Sequence, residues 1–168
     1  ALTSYPEYNS QILSQGKPEA VINEYISNAS KPFVNRAVSG LYAPGSIIKP
    51  LIAVAALAEK IISPDKQILS TGSISVPNPF FPDRQNIFKD WKAHGWVDMR
   101  RALAVSSNVY FYTIGGGYED IKGLGINKID KYAELFGFGS KTNIDLDKEE
   151  EGLVPSPANK SINSADPV

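Results

Sequence analysis

Cysteine is absent from this chain of 168 residues, and histidine occurs once, as His94. Without cysteine the chain forms no disulfide and no thiolate metal site. A Ser-His-Asp triad would have to use His94, but its setting between Lys92 and Trp96 is typical of a structural loop histidine. No histidine accompanies the acidic run at 145–151, so we interpret that run as a solvated surface segment. We therefore predict neither a metal nor another cofactor.

The sequence also lacks an excess of charge of either sign and a long hydrophobic run. Lys and Arg total 17 and Asp and Glu total 18, which gives a net charge of −1. This balance excludes the basic footprint of a nucleic-acid-binding protein. No apolar run approaches the ~20 residues of a membrane span, so we expect any membrane anchor to lie outside this chain. Hydrophobic residues still make up 42%, enough for the core of one domain.

The motif Ser46-Ile47-Ile48-Lys49 places a hydroxyl and an amine three residues apart, just before a long apolar segment. Residues i and i+3 lie on one face of a helix, where their side chains can meet. A lysine that is kept neutral can take the proton of a serine and make it a nucleophile. Burial lowers the pKa of a lysine from its usual ~10.4, and the field of a helix N-terminus acts in the same direction. The motif predicts an activated Ser46 with Lys49 as its base.

The same Ser-x-x-Lys spacing occurs at Ser14–Lys17 and Ser63–Lys66, but the context favours Ser46. Turn-forming residues follow the other two serines. Pro44-Gly45 instead precedes Ser46, and the uncharged segment 51–58 follows it, which predicts a central helix buried on all sides. In the alternative interpretation, the serine only caps the start of the helix and the lysine lies on the solvated face.

A second polar group, Ser106-Ser107-Asn108, separates two apolar segments. Asp98 is a candidate N-cap of the first segment, and residues 109–114 form the second. Polar side chains between buried segments are costly unless they are paired or used. We therefore predict Ser106 and Asn108 as further site residues. The alternative is that the triplet only caps and joins two helices.

Together these motifs resemble the transpeptidase domain of a class B penicillin-binding protein, a serine enzyme that cross-links peptidoglycan. The resemblance extends over roughly residues 1–157 and fades from Ala158, and the combined motifs are specific. It is carried by residues 1–6, 42–50, 90–92, 94–95, 98–112, 132–133, 136–139 and 144–146.

The resemblance implies an α+β fold, present as a helix-rich fragment in which most of the central antiparallel sheet is missing. It implies that Ser46 is acylated, that Lys49 is the general base and that Ser106 relays the proton. Asn108 would hold the lysine and bind the substrate amide, and Trp91 would contact substrate near the mouth of the cleft. The substrate would be a peptidoglycan stem peptide ending in D-Ala-D-Ala, and β-lactams would acylate the same serine.

The resemblance also implies a location and partners. The enzyme would act in the periplasm or at the outer face of the bacterial cytoplasmic membrane. Other cell-wall synthesis proteins would be its partners, as would the remainder of the domain if that is a separate chain. A D,D-carboxypeptidase, a β-lactamase-like or β-lactam-sensing domain and an inert interaction fragment stay open as alternatives.

The third family motif, Lys-(Thr/Ser)-Gly, does not occur in the chain. Lys141-Thr142-Asn143 is similar, but it lies where family members carry an ordinary loop. We therefore expect residues 1–168 to be a partial transpeptidase domain, with 158–168 as a loop or an extraneous remnant. We also expect this chain alone to hydrolyse no D-Ala-D-Ala peptide at a measurable rate.

Periodicity and turn residues predict the local structure. We expect the end of a strand and a turn over residues 1–16, and two helices on either side of the 106–108 triplet. Further helices are predicted over 18–27, 46–60 and 127–136, and a short strand over 73–76.

Overall fold

In the computed structural model, which describes residues 2–81 and 83–156, the chain divides into two units. The first unit comprises residues 2–43 and 139–153, and the second comprises residues 44–138 and 154–156. The regular structure described in the first unit is helical, and the second unit combines helices with two short antiparallel pairs of strands. The predicted helix-rich α+β class is confirmed. The prediction for residues 158–168 lies outside the described residues.

Three short helices shape the first unit: α1 (Ser10–Gln15), α2 (Glu19–Ser27) and α3 (Arg36–Ser39). The helix predicted over 18–27 is confirmed as α2. The prediction for residues 1–16 is wrong, because α1 occupies its second half and the described residues 2–9 hold no strand. The Asn9 side chain accepts hydrogen bonds from two N–H groups of the first turn of α1, and Gly16 ends the helix with φ of 66°. These two end signals define α1.

The acidic segment 145–151 belongs to the first unit and is largely exposed, as predicted. Glu149 nevertheless ties it to the preceding loop. Its carboxylate accepts hydrogen bonds from the Thr142 N–H at 2.7 Å, the Thr142 hydroxyl at 2.5 Å and the Asn143 N–H at 3.0 Å. Residues 141–143 therefore lie in a loop, in agreement with their interpretation as unrelated to the third motif.

The second unit is built around one central helix. Its helices are a 3-10 helix (Gly45–Ile48), α4 (Lys49–Ala58), α5 (Met99–Ala104), α6 (Asn108–Gly116) and α7 (Ile126–Leu135). Helix α4 packs against α5, α6 and α7. Ala55 and Ala56 are fully buried, and such small side chains allow neighbouring helices to approach closely. The core comprises Leu51, Ile52, Ala53, Ala55, Ala56, Ile62, Val97, Met99, Ala102, Tyr110, Phe111, Ile114 and Leu124.

Helix α4 is shorter than the predicted helix over 46–60. Its first turn is 3-10, because Pro50 has no N–H to offer the Ser46 carbonyl, which accepts the Lys49 N–H instead. At the other end Lys60 adopts φ of 53°, and the Ile61 N–H bonds to the Ala56 carbonyl at 2.8 Å. This left-handed residue ends the helix.

One face of α4 is also uncovered in the described structure. Val54, Leu57 and Ala58 are exposed, although the uncharged sequence predicted burial on all sides. Positions i, i+3 and i+4 share one helix face, so the exposure follows a single stripe. The prediction of burial is therefore wrong for this stripe and confirmed for the opposite face.

Four short strands follow α4: β1 (Ile68–Ser70), β2 (Ser73–Pro77), β3 (Gln85–Lys89) and β4 (Gly95–Val97). β1 pairs with β4 and β2 with β3, both antiparallel. The strand predicted over 73–76 is confirmed as β2, and the helix over 127–136 as α7. Within the described residues, no helix has the length and apolar character needed to cross a membrane.

Tyr110 provides a stability test within the core. Its side chain is fully buried on α6, and in the described part of the chain its hydroxyl has no hydrogen-bond partner. Burial, helped by the charge of Asp98, raises the pKa of Tyr110 to about 12. Tyr110→Phe should stabilise the protein by about 1 kcal/mol in urea unfolding, because it removes an unpaired buried group. Tyr112→Phe, at a half-exposed position of the same helix, is the matched control and should change little. If Tyr110→Phe destabilised the protein, that result would contradict an unpaired Tyr110 hydroxyl.

Candidate active site

Ser46 lies in the 3-10 helix, one residue after the sharp turn at Gly45. Gly45 has φ of 58°, a left-handed conformation that glycine adopts without steric cost. Ser46 is exposed to solvent, whereas Lys49, three residues on, is buried. Side chains at i and i+3 eclipse each other in a 3-10 helix, so the two residues keep the shared face that the sequence predicted. The geometry combines an accessible hydroxyl with a desolvated amine.

The Lys49 amine is surrounded by oxygen acceptors. Nζ donates to the Ser106 carbonyl at 2.7 Å, to Ser106 Oγ at 3.0 Å and to Asn108 Oδ1 at 2.7 Å. The residue is only 7% exposed, and the Phe111 ring centroid lies 5.6 Å from Nζ. Burial lowers the pKa of Lys49, while the charge of Asp90 acts in the opposite direction. Three of the predicted site residues are therefore in contact, and the interpretation of a solvated lysine is wrong.

The turn between α5 and α6 explains why Ser106 and Asn108 both reach Lys49. Ser106 has φ of 53° and ends α5, and its Oγ accepts a hydrogen bond from the Lys49 amine. Ser107 is the N-cap of α6, and its Oγ accepts the Tyr110 N–H at 3.4 Å. The capping role that the alternative interpretation gave to the triplet thus falls to its middle residue. The two flanking side chains point to the lysine instead.

Asp90 is a site residue that the sequence analysis used only as part of a resemblance. Its side chain is fully buried, and its carboxylate accepts hydrogen bonds from Ser107 Oγ, the Val109 N–H and the Trp91 N–H at 2.9, 2.9 and 2.8 Å. Burial by itself would raise the pKa of Asp90, but these backbone and side-chain donors together lower it. In the sequence, Asp90 is a single acidic residue between Lys89 and Trp91, which by itself does not indicate burial.

His94 and Trp91 complete the surroundings of this carboxylate. His94 is buried, with Nε2 3.7 Å from Asp90 Oδ1, and its ring stands edge-on to Trp91 at 5.0 Å. Trp91 is 61% exposed and donates its indole N–H to the Val105 carbonyl at 3.2 Å. Trp91 therefore lies next to the turn that carries Ser106, while its contact with substrate stays a prediction.

The other two Ser-x-x-Lys pairs form no comparable site in the described structure. The Ser14 hydroxyl bonds to the Gln11 carbonyl at 3.0 Å, as a helix serine does. Ser63 accepts the Asp65 N–H at 3.4 Å, and Lys66 pairs with Asp120 on the surface at 3.9 Å. In the described ranges, no three His, Cys, Asp or Glu side chains group to hold a metal ion.

Residues 2–166 match the family described as the penicillin binding protein transpeptidase domain. The chain belongs to this family. It is 35% identical over 159 residues to the peptidoglycan D,D-transpeptidase MrdA of Acinetobacter baumannii, covering 94% of this chain and 22% of that protein. The chain therefore spans about a fifth of the length of that relative. The predicted membership of the penicillin-binding proteins is confirmed.

Solved structures give the same relationship. The chain matches the Helicobacter pylori penicillin-binding protein PBP2 in its complex with MreC, with a TM-score of 0.81 and 30% identity, covering 96% of this chain and 28% of that one. It also matches Pseudomonas aeruginosa PBP2 in complex with WCK 5153, with a TM-score of 0.77 and 28% identity, covering 95% and 34%. The fold of this penicillin-binding protein transpeptidase segment is thus shared with solved members of the family.

The desolvated lysine makes stability depend on pH. Because the pKa of Lys49 is lowered in the folded protein, the unfolded chain binds a proton that the folded chain does not, from that lowered pKa up to 10.5. The free energy of unfolding, compared with that of a Lys49→Met variant, should therefore rise with pH over the range below about 10. Urea unfolding of both proteins across this range measures the difference, and Lys66→Met, at an exposed lysine, is the surface control. A constant difference would contradict the lowered pKa.

Proposed function

We propose that this chain carries the acylation site of a serine D,D-transpeptidase, which cross-links peptidoglycan through an ester on Ser46. One observation carries the proposal: Lys49 is buried and donates to Ser106 and Asn108, while Ser46 is exposed one 3-10 turn away. A desolvated amine beside an accessible hydroxyl is the arrangement that activates a serine. The proposal concerns the protein with its whole catalytic domain, since the chain spans only part of its relatives.

In the proposed acylation, Lys49 is neutral and keeps two N–H donors, and its lone pair takes the proton from the Ser46 hydroxyl. Oγ then bonds to the carbonyl carbon of the penultimate D-alanine of a stem peptide. The peptide C–N bond breaks, and the terminal D-alanine leaves with a proton delivered through Ser106. The Ser46 N–H supplies one donor to the developing oxyanion. In hydrolases, such a donor lowers the activation free energy by roughly 3 kcal/mol.

In the second step an amine of a neighbouring stem peptide attacks the ester. A new amide forms, and Ser46 regains its proton from the attacking amine through Lys49. Asn108 holds the lysine and hydrogen-bonds the substrate amide, and exposed Trp91 contacts the substrate beside the turn. β-Lactams form the same ester on the serine and leave it slowly.

The relatives support the setting of this reaction. The Acinetobacter baumannii relative is named as a peptidoglycan D,D-transpeptidase, and the Helicobacter pylori structure contains PBP2 with MreC. By analogy we propose that the protein works at the outer face of the cytoplasmic membrane, together with other cell-wall synthesis proteins. These relatives favour a transpeptidase over a carboxypeptidase or a β-lactam sensor.

Intact-mass measurement after incubation with benzylpenicillin tests the proposed serine. The full-length protein should gain one penicilloyl adduct, which peptide mapping should locate to the peptide containing Ser46. Ser46→Ala should abolish the adduct. A folded full-length protein that gains no adduct would refute the proposed acyl-enzyme.

Variants of the full-length protein test the roles around the serine. Lys49→Ala and Ser106→Ala should each slow acylation by about a hundredfold or more, because general acid–base catalysis contributes factors of this size. Lys66→Ala removes the lysine of another Ser-x-x-Lys pair and is the matched control, with acylation unchanged. A damaging Lys66→Ala would show that the wrong pair had been chosen.

The acceptor is tested separately from acylation. With a D-Ala-D-Ala stem peptide and a stem-peptide amine, the full-length protein should form the cross-linked product in addition to free D-alanine. Release of D-alanine with no cross-linked product at any amine concentration would indicate a carboxypeptidase instead.

A further inference from the structure

Asp90 is a buried carboxylate that the proposed reaction does not use, although it lies against the turn that carries the reactive groups. Two of its hydrogen-bond donors are Ser107 Oγ and the Val109 N–H, which belong to the residues on either side of Asn108. Its other donors are the Trp91 N–H at 2.8 Å and the Ser70 hydroxyl at 3.4 Å. A buried carboxylate stays charged only with such donors, so the carboxylate and the turn stabilise each other.

The turn has a conformation that needs support. Ser106 adopts φ of 53°, in the left-handed region that residues with a Cβ rarely occupy. Both side chains that bind Lys49 belong to this turn, as does the carbonyl that Nζ contacts at 2.7 Å. A shift of the turn would therefore move all three acceptors of the lysine at once.

We propose that Asp90 is a positioning residue. It fixes the turn at Ser106–Asn108 through Ser107 and Val109, and that turn holds the Lys49 amine in position. The inference rests on the proposed function, since it assigns a role in aligning the base of that reaction. Asp90 itself touches no reacting atom. Misplacing a catalytic group by about an ångström costs a reaction up to roughly a hundredfold in rate.

Asp90 also acts on Lys49 through its negative charge, an effect that a purely structural packing role would not have. Its field raises the pKa of Lys49, against the larger effect of burial. The groups packed on Lys49 from the α5–α6 turn and α6 are uncharged: Ser106, Asn108 and Phe111. On its own loop, Asp90 faces the titratable His94 at 3.7 Å.

Asp90→Asn weakens the hydrogen bonding of this side chain and removes its negative charge, with little change in size. In either orientation the amide loses one hydrogen bond that the carboxylate accepts: the bond from the Trp91 N–H if its NH₂ group takes the place of Oδ1, or the bond from the Val109 N–H if it takes the place of Oδ2. The negative charge is lost as well. The matched control is Asp120→Asn, the same change at a carboxylate that is exposed and pairs only loosely with Lys66 at 3.9 Å.

The test is the rate of acylation of the full-length protein by benzylpenicillin, measured across pH and normalised to folded protein. Asp90→Asn should lower the plateau rate by about tenfold or more. It should also move the acidic limb, where Lys49 becomes protonated, to lower pH, because the charge that favours the protonated amine is gone. Asp120→Asn should match the parent in both respects.

Ser107→Ala keeps the carboxylate but removes one of its donors together with the N-cap of α6, and it is used if Asp90→Asn does not fold. It should slow acylation by about tenfold while the acidic limb stays near that of the parent. Parent-like acylation by Ser107→Ala, or a folded Asp90→Asn with an unchanged plateau and limb, overturns the inference while the proposed function stands. A parent protein that forms no penicillin adduct overturns the proposed function and the inference together.

Discussion

The contact between the Lys49 amine and the α5–α6 turn is the interaction on which the site depends. A charged or neutral amine at 7% exposure needs acceptors, and Ser106 and Asn108 supply all three that bind it. These residues lie 57 and 59 positions after the lysine. The site therefore forms only when α4 and α6 pack against each other.

Ser46 and Lys49 have opposite requirements, because a nucleophile has to be accessible while its base has to be desolvated. The 3-10 turn meets both. Pro50 withholds the N–H that an α-helical turn would give to Ser46, so the regular helix begins only at Lys49, and Ser46 stays outside it on an exposed turn. A proline that weakens the start of the helix thus contributes to the exposure of the hydroxyl.

Behind the reactive groups lies a second polar layer, centred on Asp90. Its hydrogen bonds to Ser107, Val109 and Trp91 join the loop after β3 to the start of α6. A buried polar network of this kind stabilises one conformation when its groups are paired, and the penalty for breaking it is large. This network surrounds the turn in which Ser106 adopts its left-handed conformation.

The sequence by itself determined the elements whose signals are local: α2, α7, β2 and the two polar motifs all rest on residues close to one another in the chain. It also pointed to the family, through motifs read together. Only the tertiary structure decided that α4 is exposed along one stripe, that Ser107 caps α6 while its neighbours bind the lysine, and that Asp90 is buried behind them. Each of these three features depends on which distant segment packs against the residue. Helix caps and periodicity can be recognised from neighbouring residues, whereas burial cannot.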